Sequence, residues 1–169
     1  MGDNFSEVIV KKKIDMLATF FRIFAIIVTV VMCYATLLWA PSLLMFVVLI
    51  FGFLCYVVFR NTSVEYEYTF VNGEFDVECI YGKSKRKKAM SFDFNKLEVL
   101  APADNQRVLG YEHRSDIKTF NYSSGYEDSQ LYVAVVYGKN GSLGRIIFEP
   151  SEDMVNAIKR HCPSKVYWI

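Results

Sequence analysis

Residues 64–81, "VEYEYTFVNGEFDVECIY", decide the fold because two runs of alternating side chains flank an Asn-Gly pair. Apolar and polar residues take turns on both sides of Asn72 and Gly73, which is the pattern of strands with one buried face. Tight hairpin turns favour Asn-Gly. The stretch therefore predicts an antiparallel β-hairpin. Its apolar positions are Val64, Tyr66, Tyr68, Phe70, Phe75, Val77, Cys79 and Tyr81.

Further short strands follow this hairpin. A third strand contains Phe92 and Phe94 and runs on towards "KLEVLAP". Later strands are predicted at residues 117–122, 131–137 and 143–149. We expect about seven strands in all, and regular short strands separated by turn signals are typical of an antiparallel barrel or sandwich.

The last element is predicted to be a helix. In "PSEDMVNAIKRHCP" at 150–163, Ser151 suits the N-cap, and the acidic pair after it complements the positive end of the helix dipole. Lys159 and Arg160 suit the last turn, and Pro163 ends the helix. Residues 61–169 thus read as one α+β domain, large enough for its own core.

Two long apolar runs precede this domain and account for the chain's hydrophobic fraction of 53%. Residues 16–40 contain one charge, Arg22, and residues 42–59 contain none. Helices over about 17–39 and 42–59 would be roughly 34 and 27 Å long, close to a hydrocarbon core of about 30 Å. Because the connection around Pro41 is very short, the sequence predicts a transmembrane helical hairpin at 16–60.

Flanking charge predicts how this hairpin is oriented. Lys11, Lys12 and Lys13 precede the first helix, Arg60 closes the second, and the connection between the helices is uncharged. The positive-inside rule then places both termini in the cytoplasm and predicts a two-span protein of the cytoplasmic membrane. The expected layout is a cytoplasmic tail at 1–15, the hairpin at 16–60 and a cytoplasmic domain at 61–169.

The basic stretch "GKSKRKK" at 82–88 resembles the end of a nucleotide-binding P-loop, but its context does not fit. The first glycine of the motif would fall on Val77, and no helix follows to receive phosphates. Nucleic-acid binding is also disfavoured, because residues 61–169 carry 14 Lys and Arg against 15 Asp and Glu, a net charge of −1.

Two interpretations of the basic stretch remain open. Only "NTS" separates Arg60 from the first strand of the hairpin, so the domain is tethered close to the inner leaflet. The cations can then contact anionic lipid headgroups, or they can form a solvated hairpin tip that discourages edge association. The candidate headgroup contacts are Lys83, Lys85, Arg86, Lys87 and Lys88.

Two helices followed by "YEYTFVNGEFDVECIYGKSKRKKAMSFDFNKLEVL" give the chain a layout that resembles small uncharacterised bacterial membrane proteins with a PH-like domain. The resemblance covers nearly the whole chain and rests on element order and patterning. It implies a bent antiparallel sheet plugged by the C-terminal helix, and a non-enzymatic binding or scaffolding module. In phosphoinositide-binding PH domains the basic pattern lies on the first hairpin, whereas here it lies one hairpin later.

The short linker makes membrane lipids the expected partners. The small residues Ala18, Ala25, Ala35 and Gly52 in the apolar runs also allow self-association or docking to a second membrane protein. We expect no nucleotide, cofactor or metal, since neither cysteine nor histidine spacing predicts a metal site. The alternatives are a membrane enzyme that uses the polar segment 102–130, or a regulatory subunit of a larger membrane complex. No recognised catalytic motif supports the enzyme alternative.

Overall fold

The computed structural model of the chain describes residues 5–39, 41–138 and 141–168. The chain divides into two compact units, one with the two β-sheets and the C-terminal helix, the other with the two apolar helices and the turn Tyr81–Lys85. The strands are β1 (Phe5–Lys11), β2 (Val64–Val71), β3 (Glu74–Tyr81), β4 (Lys85–Asp93), β5 (Leu97–Pro102), β6 (Lys118–Asn121), β7 (Tyr132–Tyr137) and β8 (Leu143–Phe148). The helices are α1 (Met16–Trp39), α2 (Pro41–Thr62), α3 (Gln106–Leu109) and α4 (Glu152–His161), with a 3₁₀ turn at Phe94–Lys96.

The first sheet has the order β1-β2-β3-β4. Its N-terminal strand was not expected, because the sequence predicted a tail over residues 1–15. Instead, β1 pairs antiparallel with β2 from Phe5 opposite Val71 to Lys11 opposite Glu65. The predicted β2–β3 hairpin is present, and both turn residues, Asn72 and Gly73, have positive φ as that turn type requires.

The second sheet has the order β5-β7-β8-β6 and is mixed, because β6 runs parallel to β8 while the other pairs are antiparallel. The expectation of an entirely antiparallel structure was therefore wrong for β6. The described residues of the range 61–169 do contain seven strands and a C-terminal helix. In the part of the chain that the structure describes, the two sheets do not close into a barrel, since β4 and β6 each end a sheet with one neighbour.

Aromatic side chains form the core between the two sheets. The Phe75 ring on β3 lies 4.8 Å from the Phe94 ring and 4.9 Å from the Phe148 ring, centroid to centroid. Phe94 was expected in the third strand, but it lies in the 3₁₀ turn that follows β4. All three rings are fully buried, so they join β3 and β8 across the interior.

The predicted C-terminal helix is confirmed together with its cap. The Ser151 hydroxyl accepts a hydrogen bond from the backbone N–H of Met154 at 3.2 Å. Glu152 and Asp153 occupy the first turn, and basic residues occupy the last. The buried face of α4 consists of Met154, Val155, Ala157 and Ile158.

The two apolar runs form α1 and α2, which pack against each other. Arg22 Nε near the start of α1 donates a hydrogen bond to Thr62 Oγ1 at the end of α2, at 2.7 Å. Residues Met16–Leu38 are long and apolar enough to cross a membrane, with a mean hydropathy of 2.3 over the most apolar window. The described apolar part of α2, Phe46–Thr62, is shorter. One helix of spanning length is therefore present among the described residues.

Candidate functional site

The candidate site is the basic turn between β3 and β4. Gly82 and Lys83 both have positive φ, at 55° and 57°, and the Ser84 N–H donates to the Tyr81 carbonyl oxygen at 3.2 Å. These are the features of a tight two-residue hairpin turn. Because β4 begins at Lys85, the turn itself is only Gly82–Ser84, and the remaining cations lie on the strand.

The turn is held against the C-terminal end of α2. The Gly82 N–H donates to the Ser63 carbonyl oxygen at 2.9 Å, and Arg60 Nη2 donates to Ser84 Oγ at 2.8 Å. The backbones are so close that a Cβ on Gly82 would lie 2.3 Å from Arg60 Cγ and 3.0 Å from the Arg60 carbonyl oxygen. Arg60 thus has a structural contact that flanking charge alone did not predict.

Strand alternation divides the cations of β4 into two sets. Successive side chains of a strand point to opposite faces, so Arg86 and Lys88 share one face. Arg86 Nη1 lies 2.7 Å from Glu67 Oε2 on β2, and Lys88 Nζ lies 2.7 Å from Asp76 Oδ2 on β3. These two cations, predicted as headgroup contacts, are engaged in ion pairs within the sheet.

The other three cations of the stretch, Lys83, Lys85 and Lys87, are exposed. Among the residues that the structure describes, none of these three forms an ion pair with a carboxylate. We call these three cations the basic turn set. The sequence contained a signal for this division, since Glu67 and Asp76 are at the polar positions of the alternating pattern in the preceding hairpin.

Glu67 is a buried carboxyl group, with 2% of its surface exposed. Burial raises the pKa of Glu67 above its ordinary value of 4.5, and a hydrogen bond with the Glu7 carboxyl raises it further, while the Arg86 charge opposes both. For Asp76, burial acts to raise the pKa, but hydrogen bonds from Lys88 and Ser91 prevail and the pKa is lowered. The pKa of Glu67 is therefore above its ordinary value, and the pKa of Asp76 is below its ordinary value.

The cations predicted to flank the spans lie in different settings. Lys11 ends β1 opposite Glu65, and Lys12 and Lys13 lie in the connection to α1. Arg60 lies in the last turn of α2. The cytoplasmic location of this set is still a prediction.

The polar segment proposed for an enzyme, 102–130, is built around hydrogen bonds within a turn. The Ser124 hydroxyl lies 3.0 Å from the Ser129 hydroxyl and accepts from the Tyr126 N–H at 3.2 Å. The Ser124 N–H donates to Glu149 Oε1 at 2.6 Å. Within the described ranges there is no group of three or more His, Cys, Asp or Glu side chains placed to hold a metal.

The close approach at Gly82 generates a prediction. Gly82→Ala introduces a left-handed alanine, which costs about 1–2 kcal/mol, and also forces Arg60 to shift. We expect trypsin to cleave after Lys83 and Lys85 about tenfold faster than in the unmodified protein, because the turn opens more often. Mass spectrometry of timed digests measures this.

The control for that prediction is Gly141→Ala. Gly141 also has positive φ, at 75°, but a Cβ there would meet no atom within 4 Å. This variant should leave cleavage after Lys83 and Lys85 at the original rate. Equal cleavage in Gly82→Ala and the unmodified protein would show that the turn is not held against α2.

The raised pKa of Glu67 generates a second prediction. A carboxyl with a raised folded pKa contributes fully below its unfolded value of 4.5 and loses that contribution as pH rises through the folded value. Glu67→Gln has no such loss, so its free energy of unfolding relative to the unmodified protein should increase with pH above 4.5. Urea unfolding at several pH values measures the difference.

Glu7→Gln is the companion variant, because it removes the carboxyl that shares a hydrogen bond with Glu67. The free energy of unfolding of Glu7→Gln should depend on pH less steeply than that of the unmodified protein. Some dependence should remain, because burial still raises the pKa of Glu67. A difference between Glu67→Gln and the unmodified protein that is constant across pH would contradict the account.

Comparison with known proteins gives a family match. Residues 2–168 match the family model described as "Bacterial PH-like domain (DUF6106)". No curated protein and no solved structure matches the chain.

Proposed function

This chain belongs to the bacterial PH-like domain family, and on that premise we propose that it is a membrane-anchored, non-enzymatic binding or scaffolding module. In this proposal α1 and α2 form a two-span hairpin in the cytoplasmic membrane, and both termini lie in the cytoplasm. The basic turn set, Lys83, Lys85 and Lys87, contacts anionic lipid headgroups at the inner face.

The apolar surfaces of α1 and α2 support a membrane location. Phe20, Phe24 and Val31 of α1 are each more than half exposed, as are Phe53 and Tyr56 of α2. Exposed apolar surface on this scale is typical of segments that face lipid or another protein. In the proposal the whole of α2, 22 residues and about 33 Å long, forms the second span.

The observation that carries the headgroup proposal is the hydrogen bonding between the turn and the end of α2. If α2 crosses the membrane, its C-terminal end lies at the membrane surface, and the turn bonded to Arg60 and Ser63 lies there too. Lys83 at the tip of the turn then stands where anionic headgroups are concentrated. A basic residue at such a surface contributes about 1 kcal/mol.

The ion pairs explain why three cations, and not five, are proposed for lipid contact. Arg86 and Lys88 already have carboxylates within 2.7 Å, so a lipid phosphate would have to compete with a partner in place. Lys83, Lys85 and Lys87 have no such competitor among the described carboxylates. Their long side chains can also extend towards the headgroups.

The non-enzymatic part of the proposal draws on the hydrogen bonding of the polar segment 102–130. Its buried hydroxyl, Ser124, is engaged with Ser129 and with the Tyr126 N–H. These contacts stabilise a turn between β6 and β7. Within the same proposal, the exposed faces of α1 and α2 offer surfaces for self-association or for a second membrane protein.

The proposal is tested by reaction of lysines with an acetylating reagent in the full-length protein. The protein is placed in lipid nanodiscs of phosphatidylcholine alone, or of phosphatidylcholine with phosphatidylglycerol. We expect Lys83, Lys85 and Lys87 to react several-fold more slowly in the anionic discs, because lipid phosphates shield their amines. Peptide mass spectrometry gives the rate for each lysine.

Lys88 is the internal control, since its ammonium is already paired with Asp76. Its rate should change little between the two kinds of disc. Equal rates for Lys83, Lys85 and Lys87 in both lipid compositions would contradict headgroup contact, and failure of the protein to enter nanodiscs would contradict the membrane anchor.

A further inference from the structure

In the described part of the chain the two sheets do not close, and a cleft lies beside their end strands. The free edge of β4 in the first sheet and the free edge of β6 in the second both line it. Its volume is about 570 Å³, which is within the range of ligand sites in proteins. All of its lining residues belong to the unit that contains the two sheets.

The floor of the cleft is apolar. Phe92 of β4 and Phe120 of β6 meet edge to face with their ring centroids 5.5 Å apart, and both rings are half-buried. Met90, Val136 and Leu143 line the cleft beside them. A side chain that enters the cleft therefore meets aromatic and aliphatic surface.

The charged residues that line the cleft are Glu74, Asp93, Lys96 and Lys118. Lys96 lies 3.9 Å from Asp93, so these two charges offset each other. Lys118 forms no ion pair within the described residues, and its Nζ lies 5.1 Å from the centroid of the Phe120 ring. An acidic group at this end of the cleft would find a complementary charge.

We propose that this cleft binds an extended peptide segment of a protein partner. The free edges of β4 and β6 present backbone N–H and C=O groups that only another extended chain can pair in sequence. Alternate side chains of such a peptide would point to the apolar floor, and an acidic residue would lie against Lys118. This goes beyond headgroup contact and does not depend on it.

The edges of β4 and β6 favour a peptide over a compact apolar ligand, because a peptide backbone can pair with them. A strand at the edge of a sheet is a template for pairing, and long exposed edges are usually blocked or covered. β4 carries its lysines at the turn end, whereas residues 90–93, which line the cleft, contain none. This end of the edge therefore lacks the basic side chains that discourage pairing.

The test uses the full-length protein in nanodiscs of phosphatidylcholine, so that anionic lipid plays no part. The probe is a phage-displayed library of random dodecapeptides, from which enriched peptides are synthesised and measured by fluorescence anisotropy. We expect enriched peptides to share alternating apolar residues and an acidic residue. Amide hydrogen exchange at β4 and β6 should slow when they bind.

Two variants test whether the peptides bind in the cleft or elsewhere on the surface. Lys118→Glu should weaken binding of the enriched peptides roughly tenfold, because it places like charges together. Gly144→Val should also weaken it by filling the cleft, since a Cβ on Gly144 lies 3.6 Å from the Phe120 ring at ordinary contact distance. The control Lys159→Glu, an exposed position on α4, should bind as the unmodified protein does.

Far-UV circular dichroism confirms that each variant is folded, and two variants are used so that a folding defect in one leaves the other informative. Failure to enrich any peptide would overturn the proposal. So would binding that neither Lys118→Glu nor Gly144→Val weakens, or enriched peptides that leave exchange at β4 and β6 unchanged.

Discussion

The backbone pairing between β1 and β2 is the constraint on which the rest of the structure depends. Glu7 lies opposite Thr69 and Lys11 lies opposite Glu65, so the chain leaves the sheet after Lys11 and rejoins it at Val64. The two apolar helices are therefore an insertion between neighbouring strands of one sheet. The PH-like domain is built from sequence on both sides of them.

The pairing gives β1 two faces that differ in exposure. Ser6 is buried, while Phe5 and Ile9 are 55% and 52% exposed. A slip of one residue would exchange these faces and would bury the charged Glu7 and Lys11 along with Phe5 and Ile9. The aromatic core holds β2 in position, because Tyr68 on β2 packs against Phe75 and Phe148.

The same sheet determines which cations are available to a ligand. Pairing of β2 and β3 with their neighbours brings Glu67 and Asp76 beside Arg86 and Lys88. The sheet thus compensates two of the five charges in the basic stretch. Which cations are paired depends on carboxylates 19 and 12 residues away, and it follows from strand alternation once the pairing of the strands is known.

Local sequence signals predicted local structure well. Asn72 and Gly73 gave the hairpin turn, and Ser151 gave the cap of α4, because both depend on residues within four positions. β1 was missed because its partner lies more than fifty residues away, beyond two apolar helices, and because Ile9 interrupts the alternation of Val8 and Val10. The parallel pairing of β6 and the cleft beside it depend on contacts between distant strands, which no local pattern encodes.

Disulfide formation between β1 and β2 tests the inserted arrangement most directly. In the full-length protein with Cys33, Cys55, Cys79 and Cys162 replaced by serine, Glu7→Cys and Thr69→Cys are introduced together and mildly oxidised. The account predicts a linked peptide in unreduced tryptic digests for this pair, and none for Glu7→Cys with Glu65→Cys, which is displaced by about 13 Å along β2. No link between positions 7 and 69, or equal linkage in both pairs, would contradict it.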